Sequence, residues 1–405
     1  RLKKEFPDIP VTAFTATATL DVSKDIKKQL LMQNPKYIRG SFDRPNLTMR
    51  INDKIDEKKQ LLDFLARNKE KSGIIYTSTR KSVDKTYESL KKHGYSIAKY
   101  HAGMTEIQRS KAQREFIKDD VKIIVATIAF GMGIHKPDVR FILHLNMPKN
   151  IEQYYQEIGR AGRDGLAAEC LMLFSTRDLI LQKKRSQEIS NSFMQQQLSL
   201  KTEQIFTLCS SINCRRTEIL NYFGENYGND KCNNCDNCLD KTENIDGTII
   251  SQKILSCVYR LKQNFGINYV TDVLYGAKTQ AILQRNHDKL STYKLMSEYP
   301  KLETRYYIFS LINMGYLRIS DGEYPVLKLT DKSKEILFEK KELQFRKKVF
   351  KASKAKINIE VNYDHILFEK LSLLRKQIAT QAQVAPYIIF ADKPLLEMAT
   401  YFPQT

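Results

Sequence analysis

Four cysteines crowded into the middle of the chain constrain its fold more than any other sequence feature. They follow the spacing Cys214-x17-Cys232-x2-Cys235-x2-Cys238. The two tight loops can close a chelate while the long spacer brings in the fourth thiolate, and four thiolates suit a tetrahedral Zn²⁺ site with no open position for catalysis. An iron–sulfur cluster and disulfides are the alternatives. The spacing therefore predicts a structural metal site, with Zn²⁺ as the favoured ion.

The composition is that of a folded, basic protein. Hydrophobic residues make up 42% of the chain, which excludes a disordered protein, and 66 Lys and Arg against 46 Asp and Glu leave a net charge of +20. Such a charge favours polyanionic partners. The seven cysteines are unlike a closed disulfide set, and Cys170, Cys209 and Cys257 lie among apolar neighbours, as buried core thiols do. We therefore expect a reducing compartment.

The first half of the chain alternates short apolar runs with polar helical segments. The runs are β-branched and bounded by turn residues, as buried parallel strands are, and they lie at 73–77, 96–100, 122–127, 140–145 and 169–174. Helix N-terminal signals stand between them, such as the capping box Thr105-Glu-Ile-Gln108. This alternation predicts an α/β domain with a parallel sheet, whose ligands bind at the carboxyl ends of the strands.

Residues suited to phosphate follow three of these predicted strands. They are hydroxyls, glycine, histidine and arginine, namely Ser78, Thr79, Arg80, His101, Gly103 and Thr127. Together with the backbone N–H groups of one rim, such side chains can bind the phosphate oxygens of a nucleic acid.

An arginine pair occurs in the segment Gln156-Glu-Ile-Gly-Arg-Ala-Gly-Arg-Asp-Gly165. Arg160 and Arg163 stand at i and i+3, so both can point the same way from a helix end. Two convergent guanidinium groups can stabilise charge on a transferred phosphoryl group. The alternative is a pair of solvated surface charges, which the three phosphate-suited segments of the same domain disfavour.

Several of these segments resemble motifs of superfamily 2 helicases in their RecQ form. The matching segments are 15–18 (motif III), 76–80 (motif IV), 125–134 (motif V), 156–165 (motif VI) and the zinc-binding run 214–238. The resemblance implies a multidomain protein: the end of a first RecA-like lobe (1–45), a second RecA-like α/β lobe with a parallel sheet (46–178) and a helical zinc-binding domain (179–245).

The resemblance also implies a role for each candidate residue. Arg163, Arg160 and Gln156 would be catalytic, and His135, Gly133, Arg160 and Arg163 would contact the nucleotide. The rim residues would hold the phosphates of the tracking DNA strand, and Thr15, Ala16 and Thr17 would couple the two lobes. The implied cofactors are one structural Zn²⁺ per chain, with ATP and Mg²⁺ in the full-length enzyme.

The nucleotide cradle of such an enzyme is not found in this sequence. There is no Gly-x-x-x-x-Gly-Lys-Ser/Thr motif, because Gly276-Ala-Lys-Thr279 lacks the adjacent Gly-Lys, and Asp56-Glu57 is a poor Walker B candidate because no apolar strand precedes it. The chain starts at Arg1 without a signal peptide. We therefore expect the cradle in a preceding part of lobe one, and an isolated chain that binds DNA without hydrolysing ATP.

Residues 246–340 carry three predicted helices and then two short strands, which is the order of a winged helix. The resemblance implies a winged-helix domain that binds duplex DNA. Tyr324 would stand at the wing tip and His287 would contact DNA. The alternatives are an exposed turn aromatic without a role for Tyr324, and a helix cap for His287.

The C-terminal part has two further segments. Residues 341–361 form a basic linker, which is either a solubilising tether or a DNA contact. Residues 362–405 resemble the start of an HRDC domain, a small all-α DNA-binding module. We expect this partial domain to be poorly packed or to be positioned by its neighbours.

The implied function is that of a 3′–5′ ATP-dependent DNA helicase, of which this chain is a part, acting in repair and recombination in the bacterial cytoplasm at the nucleoid. Its partners would be single-stranded and forked duplex DNA and a single-stranded DNA-binding protein, and it would act as a monomer without membrane contact. The alternatives are a non-enzymatic DNA-binding clamp built from helicase-derived modules and an RNA helicase. The zinc module followed by a winged helix argues against RNA.

Overall fold

The structure, a computed structural model, describes residues 9–32, 34–127, 130, 135–211, 213–240, 244–320, 326–339, 341–346 and 363–403. Gly133, Tyr324 and most of the basic linker at 341–361 lie outside the described residues. Among the helices that are described, none combines the length and apolar character needed to cross a membrane.

A six-stranded parallel sheet forms the core of the first half. Its strands are β1 (Leu47–Asp53), β2 (Gly73–Tyr76), β3 (Ile97–Tyr100), β4 (Ile123–Ala126), β5 (Phe141–His144) and β6 (Ala168–Phe174). They lie in the order β1-β6-β5-β2-β4-β3, and β2, β4 and β5 are buried throughout, as strands covered on both faces are. The predicted α/β fold is confirmed, and the five predicted runs become β2 to β6. Strand β1 was not predicted.

Helices cover both faces of this sheet. The N-terminal helix α1 (Leu20–Gln29) buries none of its residues, and the covering helices are α2 (Glu57–Arg67), α3 (Arg80–Lys92), α4 (Glu106–Ile117) and α5 (Ile151–Ile158). Phe64 of α2 and Val83 of α3 pack on one face, whereas Phe116 of α4 and Tyr154 of α5 pack on the other. The predicted capping box starts α4, because the Thr105 side chain and the Gln108 side chain each bind the other's backbone N–H.

The helical region that follows docks on the sheet at strand β1. Its helices are α6 (Thr176–Gln187), α7 (Ser192–Ser210), α8 (Arg215–Tyr222) and α9 (Asp236–Leu239). Arg215 is fully buried, and its Nε donates to Oδ1 of Asp236 at 3.0 Å, so its charge is compensated. Arg216 donates to the carbonyl of Leu47 at 3.0 Å, which ties α8 to β1.

The next region has the predicted order of three helices and a hairpin. The main helices are α10 (Thr248–Arg260), α11 (Ile267–Tyr275) and α13 (Lys301–Asn313), with the short α12 (Gln280–Gln284) and α14 (Ser333–Leu337). Strands β8 (Leu317–Ile319) and β9 (Leu327–Leu329) pair antiparallel, and so do β7 (Asn244–Asp246) and β10 (Gln344–Arg346). Gly276 ends α11 with φ +84°, a conformation that glycine adopts without strain.

The C-terminal segment consists of α15 (His365–Gln381), α16 (Pro386–Ile389) and α17 (Asp392–Tyr401). Ala379, Leu395 and Ala399 are buried between these helices. The segment also contacts the parallel-sheet domain, where Nζ of Lys376 donates to the carbonyl of Asp119 at 2.9 Å. It is therefore positioned by a neighbour, one of the two expected outcomes.

Candidate functional site

The rim at the end of β2 presents one hydroxyl and one guanidinium group to solvent. Ser78 and Arg80 are exposed, and Arg80 is the first residue of α3. The Thr79 hydroxyl is engaged locally, because it accepts from the backbone N–H of Ser82 at 3.1 Å and donates to Oγ of Ser82 at 2.8 Å. Thr79 therefore shapes the rim as the N-cap of α3, while Ser78 and Arg80 are available to a phosphate.

The next loop lies directly against Arg80. A Cβ added to Gly103 would stand 3.2 Å from Cδ of Arg80 and 3.2 Å from Nδ1 of His101. His101 is buried, and both its ring nitrogens have partners: Nδ1 accepts from the Gly103 N–H at 3.2 Å, and Nε2 lies 3.3 Å from Oδ1 of Asp84. His101 thus holds the glycine loop beside Arg80. Hydrogen bonds from Lys99 and His101 lower the pKa of Asp84.

The predicted residues after β4 are only partly described. Thr127 is half-buried, and its N–H donates to the carbonyl of Tyr100 at 3.2 Å, which continues the β3–β4 pairing. His135 is exposed, and its ring meets the edge of the Tyr387 ring with centroids 6.0 Å apart. Gly133 lies outside the described residues.

The predicted arginine pair follows the end of α5 in a loop with a fixed backbone. Arg160 is half-buried and Arg163 is exposed. Between them Gly162 adopts a left-handed conformation with φ +56°, and its N–H donates to the carbonyl of Val139 at 2.9 Å. The N–H of Arg163 donates to the carbonyl of Pro137 at 3.1 Å. Both arginines are therefore carried on a turn anchored to the sheet domain, which we call the arginine loop (159–165).

Two residues that sequence reasoning missed hold the arginine loop. Arg44 donates to the carbonyls of Ala161 at 2.9 Å and Gly162 at 3.0 Å, and Nδ2 of Asn46 donates to the carbonyl of Gly162 at 2.8 Å. These contacts satisfy carbonyl groups beyond the C-terminus of a helix, which have no partner within it. Both residues lie more than 100 positions before the loop, so no local spacing could have revealed them.

Three guanidinium groups are crowded at this loop. Partial desolvation and the positive charges of Arg160 and Arg44 lower the pKa of Arg163, so each cation raises the free energy of the others. An anion placed among them would relieve that repulsion, and developing negative charge on a phosphoryl group would do the same.

Helix α5, which precedes the arginine loop, contacts the N-terminal segment through one hydrogen bond. Nε2 of Gln156 donates to Oγ1 of Thr17 at 2.7 Å. The backbone N–H of Thr17 in turn donates to Oγ1 of Thr15 at 3.4 Å, and Ala16 is exposed beside them. The predicted coupling residues and the predicted catalytic helix are therefore in direct contact.

The four predicted metal ligands come together in space. The sulfur atoms of Cys214, Cys232, Cys235 and Cys238 lie within 4.8 Å of one another, and those of Cys232 and Cys238 are 3.9 Å apart. A tetrahedron with Zn–S bonds of about 2.3 Å has edges of ~3.8 Å. The N–H of Asn234 donates to Sγ of Cys232 at 3.4 Å, a contact that helps to orient a thiolate ligand. Hydrogen bonds from Cys232 and Cys235 lower the pKa of Cys214. The donor set fits a closed four-thiolate metal site.

The loop that carries these cysteines runs alongside strand β1. Met49 and Cys235 form a parallel bridge, and the N–H of Met49 donates to the carbonyl of Asn234 at 3.4 Å. The Thr48 hydroxyl donates to Oδ1 of Asn234 at 2.7 Å, and the N–H of Ile51 donates to Oδ2 of Asp236 at 3.0 Å. The metal loop (232–238) is therefore hydrogen-bonded to the sheet of the preceding domain.

His287 lies in an aromatic cluster at the start of a short 3₁₀ turn. Its Nδ1 lies 2.8 Å from the Tyr269 hydroxyl, and its ring meets the edge of Phe265 with centroids 5.1 Å apart. Burial and the nearby Arg285 lower the pKa of His287, so it is neutral at physiological pH. Tyr324, the other predicted winged-helix contact, lies outside the described residues.

Comparisons with known proteins agree with this architecture. Four family models match in chain order: the helicase conserved C-terminal domain at 54–165, RecQ zinc-binding at 176–239, the RQC domain at 241–354 and the HRDC domain at 364–405. Three similar relatives are each named ATP-dependent DNA helicase RecQ. The protein from Haemophilus influenzae is 42% identical over 99% of this chain, that from Pasteurella multocida 40% over 100%, and that from Bacillus subtilis 38% over 98%. The chain spans 66%, 65% and 66% of the length of these relatives, respectively.

Proposed function

This chain belongs to the RecQ family, and on that premise we propose that it is part of a 3′–5′ ATP-dependent DNA helicase that unwinds duplex DNA in repair and recombination. It supplies the second helicase lobe, the zinc-binding region, the winged helix and an HRDC segment. The domain limits given above (1–45, 46–178, 179–245, 246–340, 341–361 and 362–405) remain part of this proposal.

The observation that carries the proposal is the crowding of Arg160, Arg163 and Arg44 on one anchored loop, next to the Gln156–Thr17 hydrogen bond. Residues 15–18 resemble the motif that ends the first lobe, so Gln156 of the second lobe would form a hydrogen bond with the first lobe. ATP would bind between these two lobes. Arg163, assisted by Arg160, would neutralise the negative charge that develops on the γ-phosphoryl group. Mg²⁺ would supply further charge neutralisation when it is bound with ATP.

The proposed path of the tracking strand is the rim at the carboxyl ends of β2, β3 and β4. Exposed Ser78 and Arg80 would bind phosphate oxygens, and Gly103 lets the backbone of the next loop approach Arg80. Thr127 borders this surface, whereas Thr79 and His101 would act indirectly, because their polar atoms already hold the rim in shape. Basic groups and N–H groups of this kind position a strand without reading its sequence.

The four-cysteine cluster is proposed to hold one structural Zn²⁺, since four thiolates leave no open position for substrate. Cys214, Cys232, Cys235 and Cys238 would be its ligands. Single-stranded and forked duplex DNA are the proposed substrates. Family resemblance alone supports a single-stranded DNA-binding protein as partner, action as a monomer and location at the bacterial nucleoid.

The test is Arg163→Ala in the full-length protein, with Arg67→Ala as a matched control. Arg67 is also exposed, but it ends α2 shortly before β2 begins, so it lies at the amino ends of the strands rather than at their carboxyl ends. Loss of an arginine that contacts the transferred phosphoryl group lowers turnover by about 10³–10⁵-fold in other phosphoryl-transfer enzymes, and we expect at least about 10²-fold here. The affinity for single-stranded DNA should stay within a few-fold.

Two outcomes contradict the proposal. Wild-type ATP turnover by the Arg163→Ala protein would remove the arginine from the reaction. A full-length protein that binds DNA without any DNA-stimulated ATP hydrolysis would favour the non-enzymatic clamp instead.

A further inference from the structure

One carboxylate lies behind the rim at the carboxyl ends of β2 and β3. Asp84 is on α3, four residues after Arg80, so both side chains leave the same face of that helix. Its Oδ1 accepts from Nζ of Lys99 at 2.6 Å and lies 3.3 Å from Nε2 of His101. These hydrogen bonds lower the pKa of Asp84, so the carboxylate is ionised at neutral pH. A negative charge beside a path for DNA phosphates opposes binding, so charge complementarity does not explain Asp84.

The hydrogen bonds of His101 define which of its nitrogens carries the proton. The N–H of Gly103 donates to Nδ1 at 3.2 Å, so Nδ1 is unprotonated. The proton of the neutral ring is therefore on Nε2, the nitrogen that faces Asp84. Because the ring is buried, loss of the Asp84 oxygen would leave this N–H without its partner. Asp84 thus fixes both the tautomer and the orientation of His101, as a carboxylate behind a functional histidine does in other proteins.

The glycine that His101 holds packs on the side chain that is proposed to bind phosphate. A Cβ added to Gly103 would stand 3.2 Å from Cδ of Arg80, so the backbone of this loop lies directly against the Arg80 side chain. Arg80 is exposed, and a long side chain loses conformational entropy when it binds a ligand. A fixed loop on one side restricts Arg80 before DNA arrives and lowers that entropy cost. The contacts therefore run from Asp84 through His101 and Gly103 to Arg80.

We propose that Asp84 is a positioning residue for DNA binding: it holds His101 and, through the Gly103 loop, restricts Arg80 to conformations that meet a phosphate of the tracking strand. The inference rests on the proposed function, because it takes Arg80 as a phosphate contact. Its consequence has the opposite sign to that of the charge. The charge of Asp84 by itself weakens DNA binding, whereas its hydrogen bonds strengthen it.

The test compares three variants of the full-length protein. Asp84→Ala removes both the charge and the acceptor oxygen, whereas Asp84→Asn removes the charge and keeps an acceptor oxygen. Glu88→Ala is the matched control, because Glu88 is an exposed carboxylate of the same helix, one turn farther along. Alanine is a favourable helix residue at both positions. For each variant we would measure the Kd for a single-stranded oligonucleotide and the midpoint of thermal unfolding.

We expect Asp84→Ala to weaken DNA binding about three- to tenfold, the loss that one ordinary hydrogen bond accounts for. Asp84→Asn should stay within about twofold of wild type. Glu88→Ala should bind as wild type does or up to about twofold more tightly, because it removes only a repulsive charge. A purely structural role would lower the unfolding midpoint of Asp84→Ala and leave its Kd equal to that of Asp84→Asn.

A double-mutant cycle tests whether the effect passes through Arg80. In the Arg80→Ala background, Asp84→Ala should change the Kd by less than about twofold, because the side chain that it positions is already absent. Full additivity of the two losses would overturn the inference, and so would wild-type or tighter binding by Asp84→Ala. If Asp84→Ala does not fold, Asp84→Ser replaces it with the same expectations, since its hydroxyl lies closer to the backbone than the carboxylate does.

Arg80→Ala distinguishes a failure of this inference from a failure of the proposed strand path. If Arg80→Ala weakens DNA binding and Asp84→Ala does not, only the positioning role fails. If Arg80→Ala binds DNA as wild type does, the proposed path along the rim fails, and the role of Asp84 fails with it.

Discussion

Nη2 of Arg140 lies 3.2 Å from Oδ2 of Asp392, although 252 positions separate the two residues. The same guanidinium group forms a two-point ion pair with Asp164, the residue directly after Arg163. Arg375 holds the other oxygen of Asp392 at 2.9 Å. The C-terminal helices are therefore attached to the second lobe at the back of the arginine loop, through a chain of alternating charges.

Asp392→Asn should loosen this attachment. The variant leaves the half-buried Arg140 and the buried Arg375 with less charge compensation, and a hydrogen bond to a charged group is worth about 1.5–3 kcal/mol. Hydrogen exchange of the amides in α15 and α17 should become roughly ten- to a hundredfold faster. Glu397→Gln, which changes an exposed carboxylate on the same helix, is the control and should leave the exchange unchanged. Equal protection in both variants would mean that the ion pair does not hold the segment.

Removing one metal ligand should unfold the cysteine-bearing region. Apparent binding free energies of structural Zn²⁺ sites are about 10–16 kcal/mol, comparable to the stability of a domain. Cys235→Ser should therefore give protein with less than one Zn per chain by elemental analysis and with reduced helical circular dichroism. Cys257→Ala, which alters a buried thiol outside the cluster, should keep the full metal content. A folded, metal-free Cys235→Ser protein would rule out a structural metal.

DNA binding should depend steeply on salt, and Arg80 should contribute a defined part of that dependence. Each phosphate neutralised on a single strand adds about −0.7 to the slope of log K against log salt. Arg80→Ala should weaken binding to all sequences and flatten the slope by about one unit or slightly less. Arg67→Ala, at the amino ends of the strands, should leave the slope as it is. An unchanged slope for Arg80→Ala would show that Arg80 does not contact phosphate.

Alanine substitutions at two glycines of the arginine loop should distinguish the cost of backbone strain from the cost of close packing. Gly165 has φ +82° and open space around an added Cβ, whereas a Cβ on Gly162 (φ +56°) would lie 2.4 Å from Nδ2 of Asn46 and 2.6 Å from the carbonyl oxygen of Leu166. Gly165→Ala should cost about 1–2 kcal/mol for its left-handed conformation. Gly162→Ala should cost about 1–3 kcal/mol more because Asn46 must move. Urea unfolding would measure both, and equal costs would argue against the tight contact.

The parallel sheet was largely predictable because five of its strands are short apolar runs between turn residues. Strand β1 is not such a run: its apolar and polar side chains alternate, a pattern that also indicates a strand but that the prediction, based on continuous apolar runs, did not include. The structure explains the polar positions: Thr48 bonds to Asn234, and Arg50 lies 3.4 Å from Glu169. These partners come from distant parts of the chain, so a single strand read by itself gives no sign of them.

The residues of the candidate site also fall into those that the sequence predicts and those that it does not. The cysteines and the arginine pair are recognisable because each group is clustered in sequence, and the structure brings each group together. Arg44 and Asn46 were missed as contacts of the arginine loop, because both lie more than 100 positions before it in the sequence. Sequence reasoning also gave Thr79 and His101 a direct phosphate role, without seeing that their polar atoms are occupied within the rim.

The contact between Cys235 and Met49 means that the cysteine loop also covers one side of strand β1. Strand β1 is an edge of the sheet, and the cysteine loop supplies the hydrogen-bond partners that an edge strand otherwise offers to other molecules. Metal loss would disorder this loop and expose the N–H and C=O groups of β1, to which a strand of another molecule could pair. Aggregation of the metal-free protein would then start at residues 47–53, and its rate would rise with the fraction of molecules in which β1 is exposed.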